Sequence, residues 1–269
     1  MLMKKLSLYV IVLLIITACQ PPAEEKPLEE EKAPSKEFYE LRNYELSSPE
    51  QFTAVANFLK DAALPAMKRQ GIGPIGMFSP IDTAKDGNYI SLLLPFNSLD
   101  VFAELQDKMM ADQAYLSAGA AHLDIAHPAK AFERIDSRLL VAFDSMPKME
   151  VPAIHDNPDR VFELRSYESY SEKKGIAKVK MFNAGGEVTI FKDIGFHPVF
   201  FATALTGDEQ PNLIYMVSYK DGKEETIKAQ WGLFINDERW KAIKDLDEYA
   251  NTVSKIHSIM LKPLPGSEI

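Results

Sequence analysis

The chain has 269 residues, 46% hydrophobic and 26% charged, with 13 glycines and 17 prolines. That balance excludes collagen, pervasive disorder and a polytopic membrane protein, and the length suits two modest domains better than one large core. Thirty basic against thirty-nine acidic residues give a net charge of -9, so a phosphate-tracking surface would oppose the overall field and nucleic acid is not an expected partner.

Cys19 is the single cysteine, which rules out an internal disulfide and a thiolate cluster for zinc or iron. Lys4 and Lys5 precede an apolar run, Leu6 to Ala18, that is shorter than the ~20 residues a membrane-spanning helix needs, so residues 1–18 read as a signal peptide. The run closes on Ile16-Thr17-Ala18-Cys19, which resembles the bacterial lipobox and makes Cys19 the expected lipidation site. By the same resemblance Gln20 points to the outer membrane, with the folded part facing the periplasm. Several acyl chains on one cysteine anchor a protein without a spanning helix. Residues 19–37 hold Pro21, Pro22, Pro27 and Pro34 among Glu24, Glu25, Glu29, Glu30 and Glu31 and read as an extended, solvated tether.

From residue 38 the sequence is written twice. Phe38 to Glu45 (FYELRNYE) returns as Val161 to Glu168 (VFELRSYE), an offset of 161 − 38 = 123. Gly71 matches Gly195 at 195 − 71 = 124, and Asp112 and Tyr115 match Asp237 and Trp240 at 237 − 112 = 125. The domains are therefore set at 38–145 and 161–263, with the proline-rich stretch 146–160 as linker.

Each copy opens on a strand of alternating character and continues into a helix. Ser48, Pro49 and Gln51 form an N-terminal signature, and Phe52, Val55, Leu59 and Ala62 recur at helical spacing until Pro65 kinks or ends the helix before Gly71. Residues 74–79 and 88–96 read as strands around a turn at Asp86-Gly87. Leu99, Phe102, Leu105 and Met109 mark a second helix, and 139–143 a last strand. The order β-α-β-β-α-β is the split βαβ, ferredoxin-like unit, an α+β fold with one open sheet face. Two such units covering one another form a pseudo-dimeric α/β barrel, in which neither copy is expected to be stable alone.

The repeated F/Y-E-L-R-x-Y opening, Met181-Phe182-Asn183-Ala184-Gly185-Gly186-Glu187 and Pro211-Asn212-Leu213-Ile214-Tyr215-Met216 resemble the NIPSNAP family over roughly 38–263. The resemblance implies a dimeric α/β-barrel fold and brings no agreed enzymatic activity with it.

Period two places Glu40, Arg42 and Tyr44 on one strand face, and Glu163, Arg165 and Tyr167 on its copy. With Leu41 and Leu164 facing the helices, both polar rows would line the space between the sheets. There they would hold an anionic or carbonyl ligand or form an ion-pair ladder. The Gly185-Gly186 doublet suggests a helix break with Glu187 near a freed amide and Asn183 capping it. His197 at a strand start is a candidate acid, base or haem ligand. His122 and His127 are not spaced for one helical face, so no metal is expected, and no cofactor is implied. Trp231, Phe234 and Trp240 read as core.

No catalytic motif emerges. Gly71-Ile72-Gly73-Pro74-Ile75-Gly76 leaves a helix and enters a strand, the reverse of a dinucleotide-binding turn. The expectation is a lipid-anchored envelope protein that binds a small molecule, a protein partner or a second copy of itself. The alternative is a cofactor-independent oxygenase-like or haem-dependent enzyme of the α/β-barrel type, with His197, Arg42 or Arg165 and a Trp near the substrate.

Overall fold

The computed structural model describes residues 35–269; the expected signal peptide, the expected lipidation site Cys19 and the expected tether as far as residue 34 lie outside the described residues. Among the described residues no helix is long and apolar enough to cross a membrane.

The first half runs β1 (Phe38–Glu45), α1 (Pro49–Phe58), a π-helical turn (Leu59–Ala63), α2 (Leu64–Arg69), β2 (Gly76–Pro80), a short α3 (Thr83–Asp86), β3 (Tyr89–Phe96), α4 (Leu99–Met110), α5 (Gln113–Leu123) and β4 (Arg134–Ala142). The second runs β5 (Val161–Glu168), α6 (Glu172–Asn183), α7 (Glu187–Asp193), β6 (His197–Ala204), β7 (Asn212–Tyr219), α8 (Glu224–Asn236), α9 (Glu238–Lys244) and β8 (Lys255–Pro263). The sequence reading lacked α5 and α9, which follow the second helix of each copy. Asp112 and Asp237 start them by accepting backbone N–H bonds, Asp112 from Ala114 and Tyr115 and Asp237 from Arg239.

Local chemistry explains the helix ends. Ser48 Oγ accepts the Gln51 N–H at 3.2 Å, but the Gln51 side chain reaches back to the Ser47 N–H at 2.8 Å instead of closing the box on Ser48. Pro65 does not end the helix. The π-helical turn just before it absorbs the missing donor, and Pro65 falls in the first turn of α2, where proline is tolerated. In the second half the break is real. Gly186 takes φ +83, and a Cβ on Gly185 would stand 2.4 Å from the Met181 carbonyl oxygen.

The eight strands close into one antiparallel barrel in the order β1-β3-β2-β8-β5-β7-β6-β4, an α+β fold of the dimeric α/β-barrel kind held in a single chain. Each half supplies four adjacent strands. The seams pair β2 with β8 (Phe78 opposite Pro263) and β4 with β6 (Leu140 opposite Ala204).

Three apolar cores result. Tyr39, Leu41, Phe78, Phe162, Phe200, Met216 and Leu261 fill the barrel; Tyr44, Val55, Leu59, Met67, Leu92 and Met109 pack under the first half's helices; Tyr167, Phe182, Phe191, Phe201, Tyr215 and Phe234 do so in the second. The expected facing of the strands is therefore reversed. Leu41 and Leu164 point into the barrel, and the rows Glu40-Arg42-Tyr44 and Glu163-Arg165-Tyr167 lie beneath the helices. Both layers bury their apolar residues, and under the helices the Arg42 and Arg165 side chains keep part of their surface in solvent while their carboxylate partners are buried. A chamber of about 90 Å³ remains at one mouth of the barrel, lined by Leu41, Asn43, Arg138, Ser166, Glu209 and His257 among others.

Candidate functional site

On β1, register sets Glu40 opposite Leu139 of β4, and Ser137, two residues earlier, donates its hydroxyl to Glu40 Oε1 at 2.7 Å. Arg42 clasps the same carboxylate in two bonds, Nε to Oε1 at 2.9 Å and NH2 to Oε2 at 2.8 Å, with Tyr44 beside its guanidinium. Glu40 is 2% exposed, so this is a desolvated charge, paired with Arg42, on the cleft floor.

Between this row and the helices lies a cleft of about 370 Å³, bounded by Glu40, Arg42 and Tyr44 below and by Met67, Gln106, Met109, Met110, Tyr115 and His122 above. That volume falls within the range of small-molecule sites. The Tyr115 hydroxyl, the His122 ring and the Gln106 amide make no hydrogen bonds among the described residues and face the cleft unspent. His122 stacks on Phe58, ring centroids 3.7 Å apart and 7° from parallel.

The electrostatics keep these groups neutral around one cation. Burial pushes the Tyr115 phenol up to about 12, with Tyr44 beside it adding to the shift, and burial likewise raises Tyr44. Burial lowers the His122 imidazole. Burial alone would lower the Arg42 guanidinium, but Glu40 and Tyr44 outweigh it and raise it further. Two phenol donors, a neutral imidazole and an amide around an Arg cation suit binding of a polar-edged apolar molecule. The imidazole is the one group there able to accept a proton near neutrality.

The second half repeats the row and fills the space above it. Glu163 Oε1 accepts from Arg165 NH1 at 2.5 Å and Ser258 Oγ at 2.6 Å. Its Oε2 accepts from Tyr219 at 2.5 Å and from the Trp231 indole N–H at 3.1 Å. The indole lies over the Arg165 guanidinium, 4.5 Å from centroid to Cζ, and Tyr167 and Tyr215 share a hydroxyl contact of 2.8 Å. Lys178 and Glu187, 4% and 2% exposed, pair at 2.9 Å beneath Phe182 and Trp240.

Other expected residues separate. Glu187 meets Lys178 and not a freed amide. Asn183 accepts from Ser145 N–H and Oγ at 2.9 and 2.8 Å and donates to Val179, so it fastens the segment after β4 and caps nothing of Glu187. His197 begins β6 and lines a different groove of about 450 Å³ with Ser218, Glu225 and Gln230, a site that includes neither Arg42 nor Arg165. Trp231, Phe234 and Trp240 pack in the second helix-side core. Glu168, Glu209 and His257 gather within 4.8 Å at the barrel mouth, where Lys255 faces Glu168 and Arg138 faces Glu209. Sequence reasoning missed Gln106 and His122 as cleft residues. The 125-residue offset carried the signal for Gln106, because it sets Gln106 against Trp231.

Comparison of the sequence with curated proteins gives no match. The family comparison bears on the second half. Residues 162–268 match the NIPSNAP family model. The NIPSNAP match thus includes Glu163, Arg165, Tyr167, Trp231 and Ser258, and the first half repeats its strand row. Among solved structures the fold resembles a proposed monooxygenase of Fusobacterium nucleatum, 11% identical over 86% of this chain and 93% of that one, with a TM-score of 0.55. It also resembles a proposed monooxygenase of Lactobacillus acidophilus, 9% identical over 85% and 94%, with a TM-score of 0.53. A NIPSNAP family protein of Agrobacterium tumefaciens is 17% identical, with 41% of this chain covering 98% of it and a TM-score of 0.35. At these identities the likeness is one of fold.

Proposed function

We propose that this chain is a NIPSNAP-type protein of the bacterial cell envelope, anchored through lipid on Cys19, whose first-half cleft binds a small molecule. One observation carries the binding role. The same Glu-Arg-Tyr row occurs twice, and in one copy its space is filled by the chain's own side chains, whereas in the other Tyr115, His122 and Gln106 face an unfilled cleft. The anchoring rests on residues 1–37, where a short apolar run, a lipobox-like ending and an acidic, proline-rich stretch follow one another. Crystals soaked in a fragment set test the binding role: fragments should gather between Arg42 and Tyr115, and an empty cleft with hits elsewhere contradicts it. Membrane fractionation tests the anchor, since Cys19→Ser should release the protein from the membrane pellet.

An enzymatic reading draws on His122, a neutral imidazole beside two phenols and an Arg cation, the set a proton-abstracting oxygenase would use. The two fold neighbours above are proposed monooxygenases, an analogy of fold. Oxygen uptake with a hydroquinone, lost in His122→Ala, would favour this reading; its absence leaves binding alone.

A further inference from the structure

We propose that the first-half cleft takes a planar aromatic ring with an N–H or O–H donor at its edge, an indole or phenol, stacked on Arg42 with the donor on Glu40 Oε2. The inference rests on the reading of the cleft as a small-molecule site, and the molecule supplies its own template for the ligand.

The two rows share their partners at one carboxylate oxygen, although Arg42 reaches Glu40 through Nε and NH2 and Arg165 reaches Glu163 through NH1. Oε1 is served alike in both halves, by Arg42 and Ser137 on Glu40 and by Arg165 and Ser258 on Glu163. Oε2 is not. On Glu163 it accepts the Tyr219 hydroxyl and the Trp231 indole N–H, while on Glu40 it accepts Arg42 NH2 alone.

The difference lies in two substitutions. Across the sheet Phe38 faces Phe96 as Val161 faces Tyr219, so Phe96 stands where Tyr219 donates. The 125-residue offset that pairs Asp112 with Asp237 also pairs Gln106 with Trp231 on α4 and α8, and Gln106 lines the cleft. The first half therefore keeps the carboxylate and guanidinium that hold an indole in the second half, but has no indole of its own. Glu40 is 2% exposed, so a donor reaching Oε2 meets a desolvated carboxylate, where a hydrogen bond counts most. Arg42 lines the cleft, and a ring stacked on its guanidinium would repeat the way Trp231 lies over Arg165.

Titration calorimetry of the full chain with indole and with benzofuran, the same two rings with oxygen in place of N–H, tests the assignment without any mutation. Indole should bind at least about tenfold tighter, the loss expected for one hydrogen bond to a charged group. In Gln106→Trp the new side chain should fill the cleft and abolish indole binding while the protein still melts cooperatively. Equal binding of the two compounds, no indole binding up to millimolar concentration, or indole binding retained in a folded Gln106→Trp protein overturns the inference. If indole fails but other fragments are seen between Arg42 and Tyr115, only the ligand class falls. If the soaked cleft stays empty as well, the small-molecule reading falls with it.

Discussion

The halves of this barrel share a backbone and a polar strand row, yet they differ consistently in what surrounds that row. At matched positions the first half carries Met67, Met77, Leu92, Gln106, Met109 and Tyr115, and the second carries Phe191, Phe201, Tyr215, Trp231, Phe234 and Trp240. The larger rings interlock: Phe191 meets Phe196, Phe201, Tyr215, Trp231 and Phe234 within 5.8 Å. Methionine and leucine leave a cleft with adaptable walls, and rings on the same frame close it. A duplicated fold can thus keep one copy packed and leave the other open without changing the strands that position the row.

The contrast is sharpest at the buried ion pair. Lys178 and Glu187 correspond to Val55 and Ala63, all four buried. Lys178→Ala should cost about 3–5 kcal/mol in urea unfolding, because Glu187 would be left as an uncompensated charge. Lys178→Val together with Glu187→Ala, the first half's own residues, should return stability to within about 1 kcal/mol of the wild type or raise it. If the double variant is as unstable as the single one, the two helix-side cores are not interchangeable in this way.

Trp231→Ala should destabilise by roughly 3 kcal/mol, since it opens the ring cluster and removes a donor from Glu163, whereas Gln106→Ala at the matched position should stay within about 0.5 kcal/mol. Chemical denaturation of both variants checks the pair, and similar losses at the two sites would contradict the difference in packing. Gly186→Ala should cost about 1–2 kcal/mol, read from the same curves, because an alanine there pays for the left-handed backbone at φ +83 with open space around its Cβ.

The smallest expected effect is a change in pH dependence. Burial raises the Glu163 carboxyl, but Arg165, Ser258 and Tyr219 outweigh it and hold it below its ordinary value of 4.5. A depressed carboxyl contributes stability that is complete above its unfolded value and is lost as pH falls through its folded one. Stability measured from pH 7 down to pH 3 should therefore fall less steeply in Glu163→Gln than in the wild type. An unchanged slope would remove Glu163 from the acid response.

Much of the fold was legible because the chain states it twice. The FYELRNYE and VFELRSYE strings mark the first strands and their offset, and the β-α-β-β-α-β order with an uncovered sheet face points to the other copy as its cover, in a barrel that the structure closes. The inward face was not legible. Period two divides β1 into Tyr39-Leu41-Asn43 and Glu40-Arg42-Tyr44, but here both faces are largely buried, one in the barrel and one under helices, so alternation alone cannot assign them. Period two therefore identifies the Glu-Arg-Tyr rows but not the side they face. Tyr115 was aligned with Trp240 and Trp231 was read as core, while Gln106 and His122 take their meaning only from a cleft that forms once α4 and α5 pack over β1. The helix doublet α4-α5 escaped notice because the Asp112 cap sits two residues after α4 ends.

The central claim is that the void above the polar row exists in one half and is filled in the other. Crystals of the protein pressurised with xenon measure this directly, because xenon settles in apolar space lined by groups such as Met67 and Met109. The account predicts a xenon peak between Met67, Met109 and Tyr115 and none beside Trp231; a peak beside Trp231, or none in the first half, would contradict it.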